Sequence, residues 1–104
     1  MNNLYDGTCG VVNMLNSISG KWKLPVLRRL SFRIARYNEL KRQVKGITNI
    51  MLTRTLHDLE CNGLVIRKQY NEVPPKVEYQ LTKHGKRLIP ALEILKEWAE
   101  SRLE

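Results

Sequence analysis

The segment from Gly46 to Tyr79 constrains the fold more than any other part of the chain. It reads as a helix with one apolar stripe, Leu52, Leu56 and Leu59, followed directly by an antiparallel hairpin. The hairpin tip is Asn71-Glu72-Val73-Pro74-Pro75-Lys76, where Pro74-Pro75 is expected to hold the tip extended and cannot sit inside a central strand. Thr48 can cap the first turn of the helix, and Asn62-Gly63 carries the signal for its end.

Upstream, the apolar spacing predicts three shorter helices. The first runs from about Thr8 to Ile18, with Thr8 as N-cap and Val11, Leu15 and Ile18 in register. The second covers roughly 21–30, with Trp22, Val26, Leu27 and Leu30 on one face and an irregular start around Pro25. A connector over 32–36, with room for a short strand, leads to a third helix marked by Tyr37, Leu40 and Val44. Lys45-Gly46-Ile47 is the turn, the glycine supplying a left-handed backbone. After it, helix 4 spans about 48–62 and the hairpin about 64–81. Strand 64–70 alternates with Leu64, Ile66 and Tyr70 on one face and Arg67 and Gln69 on the other, and strand 77–81 points Val77, Tyr79 and Leu81 inward. A last helix over 82–103 aligns Leu88, Leu92, Leu95, Trp98 and Ala99, with a kink expected at Pro90. The fold class is therefore mainly α with a small β-hairpin wing. It is a single winged helix-turn-helix domain of 104 residues, expected to be dimeric through its N- and C-terminal helices.

Charge bounds the partners. Between Lys21 and Lys45 nine Lys/Arg residues face one acid, Glu39, whereas from Leu88 to Glu104 four glutamates outnumber Lys96 and Arg102. Phosphate backbone attracts the first region and repels the second. No run of 18 apolar residues and no leader pattern occurs, so a cytoplasmic protein without a membrane partner is expected. Two cysteines, Cys9 and Cys61, and two histidines, His57 and His84, match no zinc spacing, so neither metal nor cofactor is expected. Nothing resembles a nucleophile-base pair or a phosphate loop, which argues against an enzyme.

A helix feeding a basic-edged wing presents itself to a DNA duplex with the helix in the major groove. Opposite its leucines, helix 4 carries Asn49, Ile50, Thr53, Arg54 and His57. Asn pairs with adenine, Arg with guanine, and Thr or Ile with the thymine methyl, so Asn49, Thr53 and Arg54 are the expected readers, with Thr48 beside them. Arg36, Lys41 and Arg42 flank helix 3 and Lys76 stands at the wing edge, where they would position the protein on phosphates. Arg67 is expected either to contact phosphate or to pair with Glu78 across the hairpin. The apolar sides of the first and last helices, through Val11, Leu15, Leu88, Leu92, Leu95 and Trp98, exceed what one small core needs and read as a dimer interface. Cys9 stands at a helix start, where free N–H groups favour a thiolate, and is the candidate redox sensor; Cys61 is a lesser candidate as resolving thiol.

Gly20-Lys21-Trp22-Lys23, Tyr37-Asn38-Glu39-Leu40, Gly46-Ile47-Thr48, Met51-Leu52-Thr53, Gly63-Leu64-Val65 and above all Glu72-Val73-Pro74-Pro75-Lys76-Val77-Glu78-Tyr79 form one pattern. With Leu81-Thr82, Gly85, Pro90 and Trp98, it resembles the HxlR-type regulators of the MarR-like winged-helix group over most of the chain. The resemblance implies a homodimer that binds a pseudo-palindromic DNA operator, with helix 4 as the recognition helix and repression or activation of a nearby gene as the outcome. Several members of that family have Cys-Pro where this chain has Cys9-Gly10, and some of them use that cysteine to sense oxidants or electrophiles. The effector is not identified. The competing reading is a winged-helix protein-interaction module with only nonspecific nucleic-acid binding, which an apolar exposed face on helix 4 would favour.

Overall fold

The computed structural model describes residues 10–101. In chain order the elements are α1 (Gly10–Ile18), α2 (Lys23–Leu30), β1 (Ala35–Arg36), α3 (Tyr37–Gln43), α4 (Asn49–Cys61), β2 (Val65–Tyr70), β3 (Lys76–Leu81) and α5 (Lys83–Ser101). Val26 and Leu27 of α2, Leu40 of α3, and Leu52, Leu56 and Leu59 of α4 are fully buried and form the centre of the core. Thr55 joins the three leucines on the inward face of α4. The strands make one antiparallel sheet in the order β1-β3-β2. Helices α2, α3 and α4, backed by this small sheet with its projecting hairpin, make a winged helix-turn-helix.

Pro25 falls in the first turn of α2, where the missing N–H has no helical partner to lose, and Trp22 caps that helix without a side-chain bond. Gly46 has φ +87°, which lets the chain turn sharply between α3 and α4. Thr48 Oγ1 then accepts from the Met51 N–H at 3.1 Å, the N-cap read from the sequence.

The end of α4 is closed by a Schellman motif: Leu64 N–H donates to the Leu59 carbonyl and Gly63 N–H to that of Glu60, both at 3.0 Å, with Gly63 at φ +74°. The same two residues seat α5. Thr82 donates its N–H to the Leu64 carbonyl at 3.0 Å and its hydroxyl to the Gly63 carbonyl at 2.6 Å, and accepts the Gly85 N–H at 2.9 Å. A Cβ on Gly85 would overlap the Leu64 carbonyl oxygen, so only glycine permits this approach.

Three expectations for the hairpin are corrected. Val65 lies opposite Leu81 and Arg67 opposite Tyr79, so the β2 residues sharing the face of β3's inward side chains are Val65, Arg67 and Gln69. Ile66 is instead exposed and Val65 buried. Register, set by the Tyr70–Lys76 pair that closes the hairpin, decides this parity, and a shift of one residue turns every side chain over. For the same reason Arg67 is not placed across from Glu78; Lys68 is. The tip bends at Val73 and Pro74 rather than running extended.

α5 runs through Pro90 to Ser101. Its first half packs on the core through Leu88, Ile89 and Leu92, whereas Ile94, Leu95 and Trp98 are 66%, 46% and 69% exposed. On α1, Met14 and Ile18 face the core and Leu15 is exposed. Thr8 and Cys9 lie outside the described residues, as does the side chain of Val11.

Candidate nucleic-acid interface

The outward face of α4 is built by what its inward face buries. With Leu52, Thr55, Leu56 and Leu59 committed to the core, a period of 3.6 residues leaves Asn49, Ile50, Thr53, Arg54 and His57 facing out together, and these five line one shallow concavity. Arg54 forms no salt bridge among the described residues. Ile50, 72% exposed, is the single apolar side chain in the set. His57 Nε2 lies 3.5 Å from Cys61 Sγ one turn on.

Asn49 and Thr53 are not isolated. The Tyr37 hydroxyl, at the start of α3, reaches the Asn49 carbonyl oxygen at 3.0 Å and Thr53 Oγ1 at 3.1 Å. Sequence reasoning assigned Tyr37 only to the apolar side of α3. Its one legible signal was a phenol where a purely apolar side chain would have served packing equally well.

The positioning residues divide into free and engaged cations. Arg36 and Arg42 are exposed and Lys41 is half-buried; none of the three forms a salt bridge among the described residues. Within the basic stretch, however, Lys23 stands 4.0 Å from Asp58, Arg28 2.6 Å from Glu93, and Arg29 4.0 Å from Glu39. Arg29 also donates to Gln43 and to the Arg33 carbonyl, stapling α2 to α3. The charge run is therefore partly internal scaffolding, and fewer cations face outward than the sequence count suggested.

Glu39, the one acid in that stretch, accepts the Arg36 N–H at 3.1 Å. This backbone hydrogen bond, with Arg29, Arg33 and Arg42 nearby, holds its carboxyl below the ordinary value. The Arg36 side chain has no acceptor to offer, so only this half of a capping box forms at α3. On the wing, Lys76 Nζ lies 3.5 Å from Glu78 and 5.1 Å from the centre of the Tyr70 ring. A phosphate would have to compete with Glu78 for it. Hydrogen bonding to Glu78 pushes the Tyr70 phenol above its ordinary pKa. Arg67 Nη1 bonds Gln69 at 3.3 Å and is otherwise exposed.

Among the described residues, no helix is long and apolar enough to cross a membrane, and no three His, Cys, Asp or Glu side chains converge as metal ligands.

Against known proteins, the family described as HxlR-like helix-turn-helix matches residues 17–104. The chain belongs to the HxlR family. An uncharacterised HTH-type transcriptional regulator of Methanothermobacter thermautotrophicus is 49% identical over 92 residues, covering 88% of this chain and 70% of that protein. Among solved structures, the redox regulator HypR in its oxidised form is 44% identical with TM-score 0.80, over 89% of this chain and 96% of that one. The reduced transcriptional regulator YodB from Bacillus subtilis superposes with TM-score 0.82 at 26% identity, over 89% and 92% of the two chains. This HxlR-family chain is thus a transcriptional regulator of helix-turn-helix type, and not an enzyme.

Proposed function

We propose that this regulator binds a pseudo-palindromic operator as a homodimer and represses the adjacent gene, with α4 in the major groove and the β2–β3 wing along the neighbouring backbone. The observation that carries this reading is the outward face of α4. It is concave, four of its five side chains (Asn49, Thr53, Arg54 and His57) are polar, Arg54 forms no salt bridge among the described residues, and together they offer hydrogen-bonding groups of the kind base edges require. A protein-docking face would be apolar, and Ile50 alone does not make one. The homodimer is supported by the exposed Leu15, Ile94, Leu95 and Trp98.

Selection of bound duplexes from a random pool, followed by sequencing, tests the proposal. A symmetric motif with half-sites about one helical turn apart is expected. Recovery of unrelated sequences at equal affinity would instead leave a nonspecific interaction module.

A second reading concerns redox control, and the likeness to HypR favours it. Cys9 is its candidate sensor: modification in a dimer interface would turn the two α4 helices out of register. Gel shifts of wild type and Cys9→Ser with and without diamide decide it. Release by oxidant in wild type alone supports the switch, and unchanged binding by oxidised wild type refutes it.

A further inference from the structure

The contacts of the Tyr37 hydroxyl fix more than the position of a helix. Tyr37 opens α3, and its oxygen lies 3.0 Å from the Asn49 carbonyl oxygen, 3.5 Å from Asn49 Oδ1 and 3.1 Å from Thr53 Oγ1. A proton count settles the direction of these bonds. The phenol carries one proton, and a carbonyl oxygen can only accept. Tyr37 therefore donates to the backbone oxygen of Asn49, the shorter of its two contacts with that residue. Its own oxygen is left as an acceptor, so the Thr53 hydroxyl is the donor in the third contact. Thr53 has then spent its only proton inside the protein. What it offers outward is oxygen lone pairs and a methyl group.

We infer that Tyr37 is a specificity-determining residue, which makes Thr53 a reader by acceptor and methyl alone. In the major groove adenine and cytosine each present an amino donor and thymine a methyl group, whereas guanine presents only acceptors. A threonine held as an acceptor meets guanine lone pair to lone pair. The protein consequently discriminates against guanine at the base that Thr53 faces, and a residue of α3 that need touch no base sets that preference. This inference rests on the reading of α4 as the helix that enters the major groove.

Tyr37→Phe is the test, because it keeps the half-buried ring and removes only the hydroxyl. Thr53→Val, which keeps the shape and removes the hydroxyl proton and lone pairs, identifies the base position concerned. Motifs are obtained by duplex selection for wild type and both variants, with thermal midpoints measured alongside. The expected result is a wild-type motif that excludes guanine at the position altered by Thr53→Val. In Tyr37→Phe, Thr53 regains a free proton and guanine is admitted there. Discrimination falls about two- to ten-fold, the ratio one neutral hydrogen bond carries, while the rest of the motif and the thermal midpoint persist.

An unchanged preference in Tyr37→Phe would overturn the inference, as would a loss of affinity shared equally by all sequences or a Thr53→Val variant that alters no position. A wild-type protein that selects no motif would bring down the reading of α4 itself, and this inference with it.

Discussion

Arg54 and Lys76 show how differently two cations can be placed. Arg54 stands on the open face of α4 without a salt bridge among the described residues, so its guanidinium is available for a bidentate contact. Lys76 is already held between Glu78 and the Tyr70 ring. Arg54→Ala is expected to weaken operator binding by about 1–3 kcal/mol and relax one base position. Lys76→Ala should weaken all sequences alike, lowering the salt slope by at most about one, since Glu78 already offsets part of its charge. Titrations of operator and random duplexes at several salt concentrations separate the two, and equal losses on both DNAs for both variants would contradict the division. At this scale the sequence was informative about which residues face out, because burial of the α4 stripe dictates it. It was silent on partners far apart in the chain. Arg28 with Glu93 and Tyr37 with Thr53 meet only through tertiary packing, and no local pattern encodes that.

Among the elements, helices were more legible than strands. The boundaries of α4 follow from Thr48 and Asn62-Gly63, which act locally through side-chain and left-handed caps. The face of β2 depends on the register that the hairpin closes with, and the bend at Val73 and Pro74 lies beyond what composition reveals. Two predictions belong here. Gly85→Ala would force the start of α5 off the Leu64 carbonyl and should cost about 1–3 kcal/mol in urea unfolding. Unaltered stability would mean that α5 shifts without resistance. The second prediction concerns Glu39, whose folded carboxyl is depressed by the Arg36 N–H and the arginines around it. Its stabilisation is present above the ordinary value of 4.5 and is lost as pH falls through the lowered folded value. The stability gap between wild type and Glu39→Gln should therefore be constant near neutrality and shrink below that value. A gap that widens on acidification would reverse the sign of this argument.

As a whole the molecule is elongated, 51 × 34 × 24 Å, with a radius of gyration of 15.4 Å. A compact chain of this length would have about 13 Å. The second half of α5, with Ile94, Leu95 and Trp98 exposed, is an apolar surface that the core below it leaves uncovered. In the homodimer proposed above, that surface is the contact. Trp98→Asp should yield a monomer by light scattering at micromolar concentration, with specific DNA affinity falling by orders of magnitude while far-ultraviolet dichroism is kept. A dimer that survives Trp98→Asp would move the interface elsewhere.

The seating of α5 on Gly63 and Leu64 has a consequence at this scale. Those residues are the last cap of α4, so the two helices are bolted end to end at one pivot. From that pivot α5 extends 19 residues, about 28 Å at 1.5 Å each. A tilt of about ten degrees at the far end would then carry each α4 several ångströms along a duplex. One residue inserted after Glu93 would swing the overhanging side chains around the axis by about 100° without disturbing the core. In the proposed homodimer, the spacing of operator half-sites would thus be written into the chain as the length of an arm and the phase of its final turn.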